Sequence, residues 1–130
     1  MYVDCGNVGE ISEESGVLAG NNVLRIVGRE LLSTARRQDM VVRMPGDEFV
    51  VCLPDTDFSQ AGPLAEAVRD SLVRRLARAG FESGLSIGVC TFRTAPRRIK
   101  PLMQKLREAT ALARSSGGNA VHHLHVTETL

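Results

Sequence analysis

The chain has 130 residues, enough for one buried core and too few for two independent ones. Hydrophobic residues make up 43% of it, with no tryptophan and one tyrosine, so the core is aliphatic, as expected when helices cover a sheet. Lys and Arg number 16 against 15 Asp and Glu, a formal charge of +1 that excludes a global pull towards a nucleic-acid polymer or an acidic membrane.

Met1–Asp4 reads as the end of a strand whose beginning is expected to be absent. Asn7 to Ser15 is weakly helical and interrupted by Gly6, Gly9 and Gly16. A stronger helix is predicted after Asn21, whose side chain is of the capping type, with Leu24, Val27, Leu31 and Ala35 at helical spacing. Met40–Val42 and Phe49–Leu53 are β-rich runs around a Pro-Gly turn, the pattern of a hairpin. Pro45 limits the turn types because it lacks an N–H.

From Pro63 to Ala79 a third helix is predicted, with Leu64, Val68, Leu72 and Leu76 as its apolar stripe. Leu85–Thr91 reads as a buried strand in which Gly88 allows a close backbone approach. A final helix begins near Pro101, with Leu102, Met103, Leu106, Ala109 and Ala113 inward, and stops at the Ser115–Gly118 run. Ala120–Val126 is the last strand. The predicted order is β, α, α, β, β, α, β, α, β, an α/β sandwich with helices flanking one central mixed sheet and a β-hairpin at Arg43–Phe49. No linker or repeat divides it, so residues 1–130 are expected to form a single domain.

Cys5, Cys52 and Cys90 show no CxxC and no zinc-finger spacing, which predicts free thiols in a reducing compartment. The opening residues lack a basic end followed by an apolar run, so no signal peptide is expected. No apolar stretch approaches the roughly 20 residues needed to span a bilayer. A cytoplasmic location without direct membrane insertion is the expectation; membrane attachment would come through another domain.

Asp4 ends the first strand and Asp47 leaves the hairpin turn. If those elements are neighbours, two carboxylates meet at one sheet edge beside the backbone carbonyl of Cys5. Magnesium takes hard oxygen ligands of this kind and commonly shares them with substrate phosphates. Periodicity alone does not bring Asp4 to Asp47, and acids in a hairpin turn are common.

Arg43-Met44-Pro45-Gly46-Asp47-Glu48-Phe49 resembles the signature of the GGDEF family of diguanylate cyclases, with Pro45 in place of the first glycine. Met1–Gly20 is similar to that family's opening strand, metal aspartate and substrate-binding turn. Leu85-Ser86-Ile87-Gly88-Val89 resembles its Ser-Ile-Gly-Val strand, and Ala113–Asn119 its terminal Ala-Lys-x-x-Gly-Arg-Asn segment. The resemblance implies the nucleotidyl-cyclase-like fold, with the signature hairpin beside the first strand. It carries Asp4, Asp47 and the Cys5 carbonyl onto metal-ligand positions, and Asp47 and Glu48 onto the catalytic acids. The family condenses two GTP molecules into cyclic di-GMP across two facing domains, with Mg2+ and release of pyrophosphate.

Several substrate positions depart from the family pattern. Ser12 stands where a guanine-contacting Asn is usual, and Asn21 where an Asp is usual. Asn is not a bidentate carboxylate towards guanine N1–H and N2–H, and charge-assisted pairing is lost. Val8 and Gly9 replace Phe-Lys, Val17 replaces a His, and Gly118 replaces the terminal arginine. Arg114 stands in for the usual lysine as a phosphate contact. Pro45 removes one backbone donor from the phosphate-facing turn. Because catalysis depends on positioning, this pattern predicts weak GTP binding with turnover reduced or lost.

Arg36-Arg37-Gln38-Asp39 precedes the signature at the family's usual distance for its inhibitory cyclic di-GMP site, with the Arg36-x-x-Asp39 spacing intact. Arginine grips phosphate or a guanine edge through its fork, and aspartate accepts from guanine N–H groups. A helix-end salt bridge gives the same spacing. Arg69 on the third helix is a candidate for the additional arginine of that site. His122, His123 and His125 lie on the last strand, alternation placing 123 and 125 on one face and 122 on the other; chance surface histidines account for them.

The function expected from these features is a degenerate signalling domain that binds cyclic di-GMP at the Arg36–Asp39 site, or GTP weakly, and regulates a partner. An active diguanylate cyclase is the enzymatic alternative, and a structural dimerisation domain the third. A homodimer, or an adjacent sensor or phosphodiesterase domain, is the expected partner.

Overall fold

A computed structural model describes residues 1–130. The elements run β1 (Tyr2–Asp4), α1 (Val8–Ser15), α2 (Val17–Thr34), β2 (Met40–Arg43), β3 (Glu48–Cys52), α3 (Phe58–Arg78), β4 (Ser86–Phe92), α4 (Ile99–Ser115) and β5 (Ala120–Val126). This is the predicted order. The strands form one sheet in the order β2-β3-β1-β4-β5. β1 is antiparallel to both neighbours, while β4 and β5 pair in parallel.

The core follows the strand period. Val3, Phe49, Val51, Ile87 and Val89 point to one face and meet Val23, Val27 and Leu31 of α2 and Val68, Leu72 and Leu76 of α3. Each of these large aliphatic side chains contributes about 1.5–3 kcal/mol by leaving water. The opposite face of β1, β4 and β5 is covered by α4, through Leu106, Ala109, Thr110 and Ala113. Gly88 is the contact point, as predicted. A Cβ there would lie 2.5 Å from Thr110 Oγ1 and 2.8 Å from the Leu106 carbonyl, so α4 rests directly on the β4 backbone.

Two helix starts differ from the sequence reading. α2 begins at Val17 rather than after Asn21, because Gly16 at φ 95° ends α1 and its N–H closes on the Ser12 carbonyl. Asn21 is therefore not a cap; it sits exposed inside the helix. α3 begins at Phe58 rather than Pro63. Asp57 accepts from the Gln60 N–H at 2.9 Å, and the Gln60 side chain accepts from the Asp57 N–H at 3.0 Å. This reciprocal capping nucleates a turn ahead of Pro63, which the helix then carries in its interior.

The sheet has a chemically distinct edge. β1 ends at Asp4 where β3, β4 and β5 begin, so Asp4 lies beside Glu48 and Ser86 in the pairing register. The loops before β3, β4 and β5 all gather there.

Candidate functional site

The hairpin tip delivers Asp47 to β1. Arg43 donates to the Gly46 carbonyl at 3.0 Å and the Met44 N–H donates to the Glu48 carbonyl at 2.9 Å, closing a tight turn with Gly46 at φ 88°. The Cys5 N–H then donates to the Asp47 carbonyl at 3.0 Å, tying the turn to the end of β1.

A second tight turn follows. The Asn7 N–H donates to the Cys5 carbonyl at 2.7 Å across Gly6, whose φ is 66°. The Gly6 N–H donates to Asp4 Oδ1 at 2.8 Å, fixing that carboxylate in place. A Cβ on Gly6 would stand 2.3 Å from the Gly84 carbonyl oxygen, so both space and backbone conformation require glycine. Asn119, in the left-handed region that asparagine tolerates, accepts from Ser83 and from the Leu85 N–H, holding the loop on the far side of Gly84.

Three carboxylates occupy this edge. Asp4 is nearly buried, and its Oδ2 accepts from Arg114 in the last turn of α4. Glu48 accepts from the Tyr2 hydroxyl. Burial pushes the Tyr2 phenol up to about 12, and the bond to Glu48 pushes the same way. Asp47 enters no ion pair. Burial raises its carboxyl above the ordinary value, the charge of Asp4 adds to the rise, and Arg114 opposes it. The Cys5 thiol is pushed up to about 12 by burial, with Asp47 and Asp4 adding to it, so the thiol is inert and only the carbonyl has chemistry to offer.

Magnesium is commonly held by one or two carboxylates, with substrate phosphates completing its shell. Asp4, Asp47 and the Cys5 carbonyl are donors of that kind, and Asp47, unlike Asp4, enters no ion pair. No group of three His, Cys, Asp or Glu side chains converges to hold a metal.

Ser12 and Asn21 fall on adjoining helices. Ser12 faces Gly20, where a Cβ would lie 2.1 Å from its Oγ, and Asn21 is the next residue along α2, open to solvent. The two are neighbours across the α1–α2 contact, and neither bears a charge.

Arg36 and Asp39 also come together, but on each other. Arg36 donates to Asp39 Oδ1 at 2.9 Å, to the Pro54 carbonyl at 3.1 Å and to Thr56 Oγ1 at 2.7 Å. The Asp39 side chain is 2% exposed and that of Arg36 40%. Hydrogen bonds from Arg36 hold the Asp39 carboxyl below its usual range. Arg69 does not join them. It pairs with Asp70 in the middle of α3, 13 residues beyond Thr56 in sequence and about 17 Å along the helix, and lines a shallow hollow with Arg74 and Asn119 at the acid edge of the sheet. The histidines behave as their alternation predicts. His123 and His125 lie against the Phe58 ring with centroids 4.1 and 5.1 Å away, and His123 Nε2 lies 2.5 Å from Thr91 Oγ1.

Tyr2 is the functional-site residue that sequence reasoning passed over. Strand alternation puts it on the same face as Asp4, and that signal was available. The bond from Arg114 to Asp4 spans 110 positions and leaves no local trace.

A sheet of this order, with an acid-bearing hairpin against its shortest strand and helices on both faces, is a nucleotidyl-cyclase-like fold. The family model described as "Diguanylate cyclase, GGDEF domain" matches residues 1–120, and the chain belongs to that family. It is 31% identical over 121 residues to diguanylate cyclase DgcM of Escherichia coli (strain K12), an overlap covering 93% of this chain and 29% of that protein. The chain thus spans less than a third of such a relative. Among solved structures it resembles the Pseudomonas aeruginosa diguanylate cyclase SiaD, crystallised with its activator SiaC, at 25% identity and a TM-score of 0.74, covering 96% of this chain and 48% of that one. The GGDEF domain of DgcB from Caulobacter crescentus, solved with c-di-GMP, shares the fold at 18% identity with a TM-score of 0.76, over 94% of this chain and 74% of that one. No helix is long and apolar enough to cross a membrane.

Proposed function

We propose that residues 1–130 form one degenerate GGDEF-type domain that holds GTP weakly at the Asp4–Asp47 edge, without efficient turnover, and signals occupancy to a partner domain. One observation carries this reading. Asp47, without an ion pair, stands at the same sheet edge as Asp4, while Ser12 and Asn21, the positions that the family resemblance gives to guanine, are uncharged.

Magnesium, when bound there, would neutralise phosphate charge and polarise the reacting phosphorus. Asp4 and Asp47 would hold it with the Cys5 carbonyl. Arg114 would contact phosphate. Glu48, engaged by Tyr2, would stand beside the same edge. Ser12 and Asn21 would orient guanine only loosely, since neither supplies a bidentate carboxylate. Positioning can be worth about 7–11 kcal/mol of barrier, so a loosely held base is enough to lose turnover while binding survives.

The test is incubation with GTP and Mg2+ under both a binding assay and product detection. Saturable GTP binding without sustained cyclic di-GMP is expected. Sustained product that Asp47→Ala abolishes would establish an active cyclase instead.

A receptor reading, with cyclic di-GMP at Arg36 and Asp39, is supported by the intact spacing of that pair. It requires the ligand to displace Asp39, Pro54 and Thr56 from one guanidinium.

A further inference from the structure

We propose that Arg114 is a built-in counter-ion that keeps the acid edge closed to a lone divalent cation until a phosphate draws the arginine away. The proposal rests on the nucleotide-site reading above and adds a coupling between its two ligands. Arg114 donates to the outer oxygen of Asp4, whose other oxygen is fixed by the Gly6 N–H. An arriving cation therefore finds one of its two carboxylates already neutralised.

The arm is placed to move. Its side chain is 57% exposed while that of Asp4 is 10% exposed, so the guanidinium lies as a cover over a nearly buried acid. It makes no other ion pair, and Gly117 and Gly118 follow it at positive φ just beyond the end of α4. Phosphate competes directly for the same fork, because planar guanidinium matches carboxylate and phosphate equally well. Once the arginine turns to phosphate, Asp4 and Asp47 are left as two uncompensated carboxylates, which is the arrangement a cation favours. Cation and phosphate then bind cooperatively, and by linkage each strengthens the other to the same degree.

The experiment titrates manganese(II) into the whole chain with and without inorganic pyrophosphate, counting free ion by its paramagnetic signal and correcting each point for the manganese that the same pyrophosphate binds without protein. Manganese alone is expected to bind the wild type weakly and to tighten about tenfold or more with pyrophosphate, within the usual range of such couplings. Arg114→Gln is expected to bind manganese alone about tenfold more tightly than the wild type and to gain less from pyrophosphate, keeping only the gain that comes from phosphate oxygens joining the metal's shell. Arg114→Lys, which keeps the charge, is expected to stay closed to manganese alone; opening as far as the glutamine variant overturns the charge argument. If Arg114→Gln binds manganese alone no better than the wild type yet loses the pyrophosphate effect, Arg114 is a phosphate contact only. The proposal then falls while the nucleotide site stands. If Asp47→Asn behaves as the wild type in every arm, the cation is held elsewhere and the site reading falls with the proposal.

Discussion

Two corners of the molecule each hold an arginine against an aspartate, and they differ in charge balance. At the Arg36 corner one cation meets one carboxylate, Asp39 is almost wholly buried, and Pro54 and Thr56 take up further guanidinium donors. At the sheet edge three carboxylates, Asp4, Asp47 and Glu48, share one paired arginine, and Asp47 is left with a raised carboxyl. The first arrangement is satisfied within the chain; the second has more carboxylates than paired cations. The same pair of residue types therefore serves as a clamp in one place and, in the function proposed above, as part of a binding site in the other. What decides is the local excess of charge rather than the motif.

Breaking the edge should have the largest effect. Gly6→Val forces a β-branched residue to φ 66° and drives its Cβ into the Gly84 carbonyl. A loss of about 3 kcal/mol or more is expected, since backbone strain and overpacking add. The measurement is the denaturant midpoint, and an unchanged midpoint would mean that the Cys5–Asn7 turn is soft.

The clamp can be broken separately. Arg36→Ala leaves the Asp39 carboxylate without its partner, and the melting temperature should fall by a few degrees at neutral pH. The sign with pH follows from Asp39, whose folded-state carboxyl is lowered by the Arg36 hydrogen bonds. Its contribution is present above its unfolded value of about 4 and is lost as pH falls through the lower folded value. The gap between the melting temperatures of wild type and variant should therefore narrow as pH falls below about 4, leaving the share due to the Pro54 and Thr56 bonds. A gap that does not change with pH would assign the whole loss to those bonds and to packing instead of charge.

Tyr2→Phe removes the one hydroxyl that donates to Glu48. A hydrogen bond to a charged group contributes about 1.5–3 kcal/mol, so a drop near the lower figure is expected, with the Arg36 corner unaffected. No change in stability would show Glu48 to be solvated in solution.

Much of the fold was legible because it rests on local patterns. Strand alternation, most of the helical stripes and the Gly88 approach survive in the structure, although Ala35 caps α2 from outside and α3 buries Ala61 and Ala65 in place of Leu64. The start of α3 was misplaced although its signal was present, because Pro63 drew the boundary past the Asp57–Gln60 capping pair. Asn21 was read as a cap when Gly16, at positive φ, was the true stop. The site divided along the same line. The convergence of Asp4 and Asp47 came from the family resemblance, since no periodicity links positions so far apart. Both partners of these acids are long-range: Arg114 on Asp4 left no local mark, whereas Tyr2 on Glu48 could have been placed on the right face by strand alternation. Arg69 was a candidate only by its place on the third helix, and helical rise carries it away from Arg36, to a hollow shared with Arg74 and Asn119.

The most direct measurement is a calorimetric titration of GTP with Mg2+ into the wild type, Asp47→Asn and Arg36→Ala. The account predicts saturable binding in the wild type, its loss in Asp47→Asn and its retention in Arg36→Ala. Binding that survives in Asp47→Asn and disappears in Arg36→Ala would contradict it.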